Sequence, residues 1–248
     1  MAYDDAMQQI VLFGGQSAAP TGGVLDLLDD TWTWDGTNWT QRAPAKSPPP
    51  TIFLPMAYAD ATQTVIAVRD NDPVATTSTW QWDGTTWGTA ATTGHPASPK
   101  QGAGIAYSTA PSAVVLFGTV YGLGVTVDAR TWTFTPNTWT GHVASAGSPH
   151  PRYLPAMSQD TGGGILMFGG GGGLGNVGTV FGDTWSWAHN AWQKRSPRTS
   201  PRARSGAVMA YDSNCGRVLL YGGEVSTQVT ATYFKDTWLW DGQTWTKV

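Results

Sequence analysis

Few residues in this chain have the chemistry to recognise or transform a ligand. Charged side chains make up 12% of the 248 residues, and the net charge is −3. The densest group is Arg69-Asp70-Asn71-Asp72, where a guanidinium and two carboxylates stand close in sequence. Such a group can bind a polar ligand, or form a local ion pair that fills the space the shortest loop leaves open. At the mouth of a channel its pKa values would shift, which suits acid or base work. A second set comprises Lys100, Arg152, Arg202 and Arg204, with His150 and Tyr153 flanking Arg152. Asp30, Asp183 and Asp236 each precede a Thr-Trp pair, whereas Arg130 holds the same place in another copy. Two readings follow. The arginines and aspartates pair between neighbouring repeats, or the arginines form an anion-attracting ring to which Arg130 adds a charge. The ligand-binding candidates are therefore Arg69, Asp70, Asp72, Arg130, His150, Arg152, Tyr153 and Arg204.

Other chemistries find no support. His95, His142, His150 and His189 lack metal-ligand spacing, so no metal and no cofactor is expected. No Ser/His/Asp order or phosphate loop can be assembled. The glycines from Gly169 to Gly175 contain G-x-G spacing after a strand, but no helix follows, as nucleotide binding would require. Cys215, the single cysteine, sits in a turn-like Asp-Ser-Asn-Cys-Gly run. Lysines and arginines are not clustered, which argues against a nucleic-acid groove. No apolar run approaches the length of a membrane span, and Met1-Ala2-Tyr3-Asp4-Asp5 is not a signal peptide, so a soluble protein is expected.

The elements that must position these residues come from an internal repeat. Asp30 to Trp39 returns as Ser78 to Trp87, Arg130 to Trp139, Asp183 to Trp192 and Asp236 to Trp245. The 14 tryptophans fill every aromatic slot of the five copies except one, taken by Phe134. Ahead of each copy lie two short β-rich runs joined by a polar turn, such as Met56-Ala57-Tyr58 and Val65 to Val68. The slot occupied by Tyr3, Tyr58, Tyr107, Ser158 and Tyr211 lies 11 residues before the residue that follows the second run, which predicts a hairpin in fixed register. Gly14-Gly15, Gly169-Gly170 and Gly222-Gly223 close that strand, while Gly118-Thr119 and Arg69-Asp70 depart from the pattern. Trp32 and Trp34 share one strand face, and Asp35-Gly36 opens a hairpin to Trp39. Each repeat thus predicts four antiparallel strands. A period near 50 residues with buried tryptophans predicts repeats stacked against one another. The expectation is an all-β, five-bladed β-propeller in one domain, residues 1–248, with blades at about 1–42, 43–90, 91–142, 143–195 and 196–248.

An apolar strand, a strand ending in Gly-Gly, a tryptophan-bearing strand and a second tryptophan after a turn resemble the kelch repeat over essentially the whole chain. The resemblance implies blades running from inner strand one to outer strand four, arginines with structural roles at blade junctions, and usually six or seven blades. With five, the ring closes by packing blade five on blade one, the repeats belong to a longer array, or chains assemble. Kelch-like propellers include galactose oxidase, whose copper centre uses a Cys crosslinked to Tyr. Cys215 lies in a strand-one to strand-two turn, so that chemistry does not carry over.

Function is expected in the loops joining strands two and three, which vary in length on a fixed scaffold: Gly15 to Asp29, Arg69 to Ser78, Thr119 to Arg130, Gly170 to Gly182 and Glu224 to Lys235. The reading is a module that binds a small molecule, glycan, peptide or protein at a central pocket on one face. The alternative is a hydrolase, isomerase or cyclase with its pocket at the propeller axis.

Overall fold

The computed structural model describes residues 1–17, 26–71, 76–96, 102–118, 130–172, 178–226 and 230–248. The protein is all-β, and the described residues contain no α-helix. Its five four-stranded antiparallel sheets are the blades of the β-propeller class. Blade one is built from Ala2–Asp4, Gln9–Ser17, Asp26–Trp34 and Trp39–Arg42. Blade two uses Met56–Ala59, Thr64–Asn71, Thr76–Trp82 and Trp87–Thr89. Blade three uses Gly104–Thr109, Ser112–Phe117, Thr131–Thr135 and Thr138–His142. Blade four uses Ala156–Gln159, Ile165–Phe168, Thr184–Ala188 and Ala191–Arg195. Blade five uses Val208–Asp212, Arg217–Tyr221, Thr237–Trp240 and Trp245–Lys247. Two compact units are distinguished, Met1–Ser98 with Thr135–Trp139, and Pro99–Phe134 with Thr140–Val248. Among the described residues no helix is long and apolar enough to cross a membrane.

Register follows the tryptophans. Trp34 faces Trp39, Trp82 faces Trp87, Trp187 faces Trp192 and Trp240 faces Trp245 across the outer hairpin. In three blades an Asp at the turn accepts two backbone N–H groups, as Asp35 does from Thr37 at 2.8 Å and Asn38 at 2.7 Å. Asp83 and Asp241 repeat this. Blade four closes instead on two residues, His189 and Asn190, at φ 51° and 61°. Positive φ at both central residues marks a type I′ turn, so His189 is a turn residue.

One expectation of register is corrected in blade four. Gln159, not Ser158, pairs with Ile165 in the place where Tyr3 pairs with Ile10 and Tyr211 with Val218. The turn Asp160-Thr161-Gly162-Gly163-Gly164 is one residue shorter than its counterparts, and its glycine run permits the tighter path, with Gly163 at φ 82°.

Alternation in the strands gives every blade two apolar faces. In the first unit Val11 and Phe13 of blade one pack with Val65, Ala67, Trp82 and Trp87 of blade two. In the second, Ala106, Val115 and Phe117 of blade three meet Ile165, Met167, Trp185 and Trp187 of blade four. Ala156, Leu166 and Phe168 of blade four meet Val218, Leu220, Trp240 and Trp245 of blade five. At the centre of each contact an aromatic ring on strand two meets a strand-four tryptophan edge-on: Phe13 with Trp87 at 5.5 Å, Phe117 with Trp192 at 5.3 Å, and Phe168 with Trp245 at 5.6 Å.

The strand-four tryptophans also donate their indole N–H to the Thr just before the first Trp of strand three in the preceding repeat. The bonds are Trp87 to Thr31 at 3.0 Å and Trp139 to Thr79 at 2.8 Å in the first unit. Those in the second are Trp192 to Thr131 at 2.7 Å and Trp245 to Thr184 at 3.0 Å. Trp245→Ala should therefore cost about 3–5 kcal/mol in urea unfolding, since it opens a cavity and orphans a buried hydroxyl. Val143→Ala, on a side chain 84% exposed, should change stability by less than about 0.5 kcal/mol. Equal losses would place the tryptophan outside the core.

Candidate functional site

Of the sequence-derived candidates, Arg152 and Arg204 are wholly buried. Each sits in the same seat. Arg152 forks onto Asp183, with Nη1 to Oδ1 at 2.6 Å and Nη2 to Oδ2 at 3.2 Å. Its Nη1 also donates to the Gly169 carbonyl and its Nε to the His150 carbonyl, both at 3.0 Å. The Phe181 ring lies 4.1 Å from the guanidinium carbon. Arg204 repeats this with Asp236, Gly222, Arg202 and Phe234, whose ring is again at 4.1 Å. The paired Asp also accepts the indole N–H of the tryptophan two residues on, Asp183 from Trp185 at 2.7 Å and Asp236 from Trp238 at 2.8 Å.

These pairs lie within single repeats, which corrects the expected pairing between repeats. The arginine backbone makes the connection to the neighbour instead. Arg204 donates its N–H to the Phe181 carbonyl at 3.1 Å, and its carbonyl accepts from Gly170 N–H at 2.9 Å. Thr51 holds the same backbone place in blade two, bonded to Leu28 and Gly15. Gly169 at φ 67° and Gly170 at φ 105° are needed for this approach, because a Cβ on Gly169 would run into the Arg204 carbonyl.

Arg69 and Asp70 stand on strand two itself, which runs on to Asn71 and pairs Arg69 with Ser78 and Asp70 with Thr77. Arg69 carries its guanidinium to the seat that Arg152 and Arg204 fill elsewhere. Its Nε donates to the Pro49 carbonyl at 3.3 Å, as theirs do to His150 and Arg202. Its Nη1 donates to the Asp70 carbonyl at 2.7 Å and to Asn71 Oδ1 at 3.3 Å. Asn71 Oδ1 also takes the Ser78 hydroxyl at 3.1 Å, and Ser78 accepts from Trp80, so Asn71 and Ser78 together replace the missing Asp. Asp70 is half-buried, and its Oδ1 is buried without a hydrogen-bond partner among the described residues. Asp72 and Lys100 lie outside the described residues.

Arg130 is exposed and lies 5.5 Å from the Trp132 ring. His150 is exposed and parallel to Phe181 at 6.3 Å. Tyr153 pairs with Gly171, and a Cβ there would strike its ring. His150, Arg152 and Tyr153 thus gather at one end of blade four, around Phe181 and Gly171. Each of the variable loops named above includes residues outside the described ones.

Sequence reasoning missed Phe181 and Phe234, whose rings cover the buried arginines; the shared Phe-x-Asp-Thr-Trp spacing was the available signal. It also missed two surface hollows, one of about 310 Å³ beside Gln193, Lys194 and Arg195, and one of about 660 Å³ bordered by Arg202, Tyr233, Phe234, Lys235, Thr237 and Lys247. Among the described residues no group of three His, Cys, Asp or Glu could hold a metal ion. His142 lies by Thr133 Oγ1 at 2.8 Å, and burial pushes its imidazole pKa down. Cys215 is exposed, and its hydrogen bond to Asp212 pushes the thiol pKa up. The sequence matches no protein-family model and no curated protein.

The carboxylates of both seats are tuned alike. Burial opposes the Asp183 charge, but the hydrogen bonds and charge of Arg152 outweigh it and hold the carboxyl below its ordinary range. The Arg204 hydrogen bond does the same for Asp236, against burial and with help from Trp238. Because the folded-state pKa values are depressed, the pairs stabilise fully above about pH 4 and lose that contribution as pH falls through the folded-state values. Urea unfolding followed from neutral pH down to about pH 2 should show that loss. The double variant Asp183→Asn/Asp236→Asn should be less stable at neutral pH and should show a shallower acid dependence. A slope equal to that of the parent would rule out the two pairs as its source.

Proposed function

We propose that the chain is a kelch-like binding module that takes a polar, hydrogen-bond-donating ligand (a glycan, small molecule or peptide) at the strand-two end of blade two. The observation that carries this reading is Asp70. Its Oδ1 is buried with no donor among the described residues, and a buried acceptor left unpaired costs about 1–3 kcal/mol. A hydroxyl or amide of a ligand would satisfy it. Arg69, fixed by the Pro49 and Asp70 carbonyls, holds the strand end that presents it. Binding is favoured over catalysis because Arg69, Arg152 and Arg204 are all engaged in internal hydrogen bonds. Fixed groups of that kind serve a scaffold, and a propeller fold alone does not imply chemistry.

The test is a glycan, peptide and small-molecule array probed with the parent and with Asp70→Ala, after thermal melts establish that both are folded. Binding to a hydroxyl- or amide-bearing ligand should be lost, with dissociation constants rising about tenfold or more, as for a charged hydrogen bond. If Asp70→Ala keeps every binding signal of the parent, the site is wrongly placed.

A further inference from the structure

The surroundings of Asp70 are made of hydrogen-bond acceptors. Asp70 stands directly opposite Thr77 on the neighbouring strand, so the two side chains share one face of blade two. Thr77 is buried, and its hydroxyl proton is already given to the Pro96 carbonyl at 3.1 Å. What the Thr77 oxygen retains is lone pairs, and the Pro96 carbonyl keeps a second lone pair of its own. Arg69 does not serve this face. Successive side chains of a strand point to opposite sides, and on its own side the Arg69 guanidinium is held by the Pro49 carbonyl and Asn71. Asp183 and Asp236 are each forked by an arginine, whereas Asp70 has no ion pair among the described residues.

This setting separates the possible donors. A hydroxyl or an amide brings lone pairs of its own into a place already lined with oxygen lone pairs. An alkylammonium brings three N–H donors and no acceptor, on a compact charge. It also supplies the positive charge that a half-buried, unpaired carboxylate lacks. The wider field has the same preference. The unit of Met1–Ser98 with Thr135–Trp139 carries ten aspartates against Arg42, Lys46 and Arg69, a net of −7, although the whole chain stands at −3. Such a surface draws cations and repels anions.

We propose that the Asp70 corner of blade two is a binding site for an alkylammonium group, with Asp70 Oδ1, Thr77 Oγ1 and the Pro96 carbonyl as its acceptors. The proposal rests on the reading of Asp70 as the binding residue and goes beyond it by fixing the charge of the ligand. The ammonium is that of a lysine side chain in a peptide or of a free polyamine.

Calorimetric titration of the parent with three probes tests this: a capped peptide with one central lysine, the same peptide with that lysine Nε-acetylated, and spermidine. The lysine peptide or spermidine should bind, more weakly as salt is added, and the acetylated peptide should not. Binding of the peptide alone marks a protein side chain as the source, and binding of spermidine alone marks a free amine. Asp70→Asn keeps an acceptor oxygen but not the charge. With an unchanged melt, it should raise the dissociation constant for the cation about tenfold or more. The proposal is overturned if neither cation binds, if the acetylated peptide binds as well as the lysine peptide, or if Asp70→Asn binds the cation as the parent does. The parent's preference between the lysine and acetylated peptides decides the matter even where a variant does not fold. A neutral ligand kept by Asp70→Asn and lost by Asp70→Ala would overturn the charge assignment alone. Ligand binding untouched by Asp70→Ala would overturn the site itself.

Discussion

The hydrogen bond from a strand-four tryptophan to a strand-three threonine is the constraint on which the rest of the structure depends. An indole can bury a large apolar area only if its N–H finds an acceptor. Here the acceptor belongs to the preceding repeat, so burying the ring and orienting the neighbouring sheet are one event. The threonine is buried at its hydroxyl, which makes the two residues mutually dependent. The outer hairpin serves this bond. Its Asp cap, or the paired positive-φ residues of blade four, holds the two tryptophans of each hairpin opposite one another. Direction is built in: each repeat gives a donor on one face and an acceptor on the other.

The second organising element is the buried guanidinium. An ion taken out of water is costly unless its charge and donors are paired. The seat pairs four of the five N–H groups, with two carboxylate oxygens and two carbonyls, and adds an aromatic face. Placing the charge there leaves the arginine main chain free to stitch one repeat to the next through the Gly-Gly corner. Side chain and backbone of one residue thus perform different tasks, one within a repeat and one between repeats.

Much of the architecture was legible because tryptophan spacing is a strong signal. The four-stranded repeat, the hairpin turns and the Gly-Gly corners all lay in fixed spacing. The site was less legible. Arg152 and Arg204 read either as structural partners or as ligand contacts, since spacing alone does not reveal burial. Phe181 and Phe234 were overlooked because they lie outside the repeat's aromatic slots, although both stand in the same Phe-x-Asp-Thr-Trp spacing. The register of blade four was misplaced by one residue because a triglycine run hid the shortened turn. Trp34 and Trp39 look like their counterparts in sequence, and only the exposure of blade one sets them apart.

In blade two the guanidinium arrives from strand two, and this alters the segment it no longer comes from. Where other repeats spend a charged side chain, blade two has Ser47-Pro48-Pro49-Pro50-Thr51. Prolines have restricted φ and no N–H to satisfy, and runs of them favour an extended form even before folding. Moving the arginine to Arg69 therefore replaces a segment that must be ordered by an ion pair with one already stiff. The ordering entropy of that connection falls, and the Pro49 carbonyl joins the Thr51 backbone bonds to Leu28 and Gly15 in anchoring it.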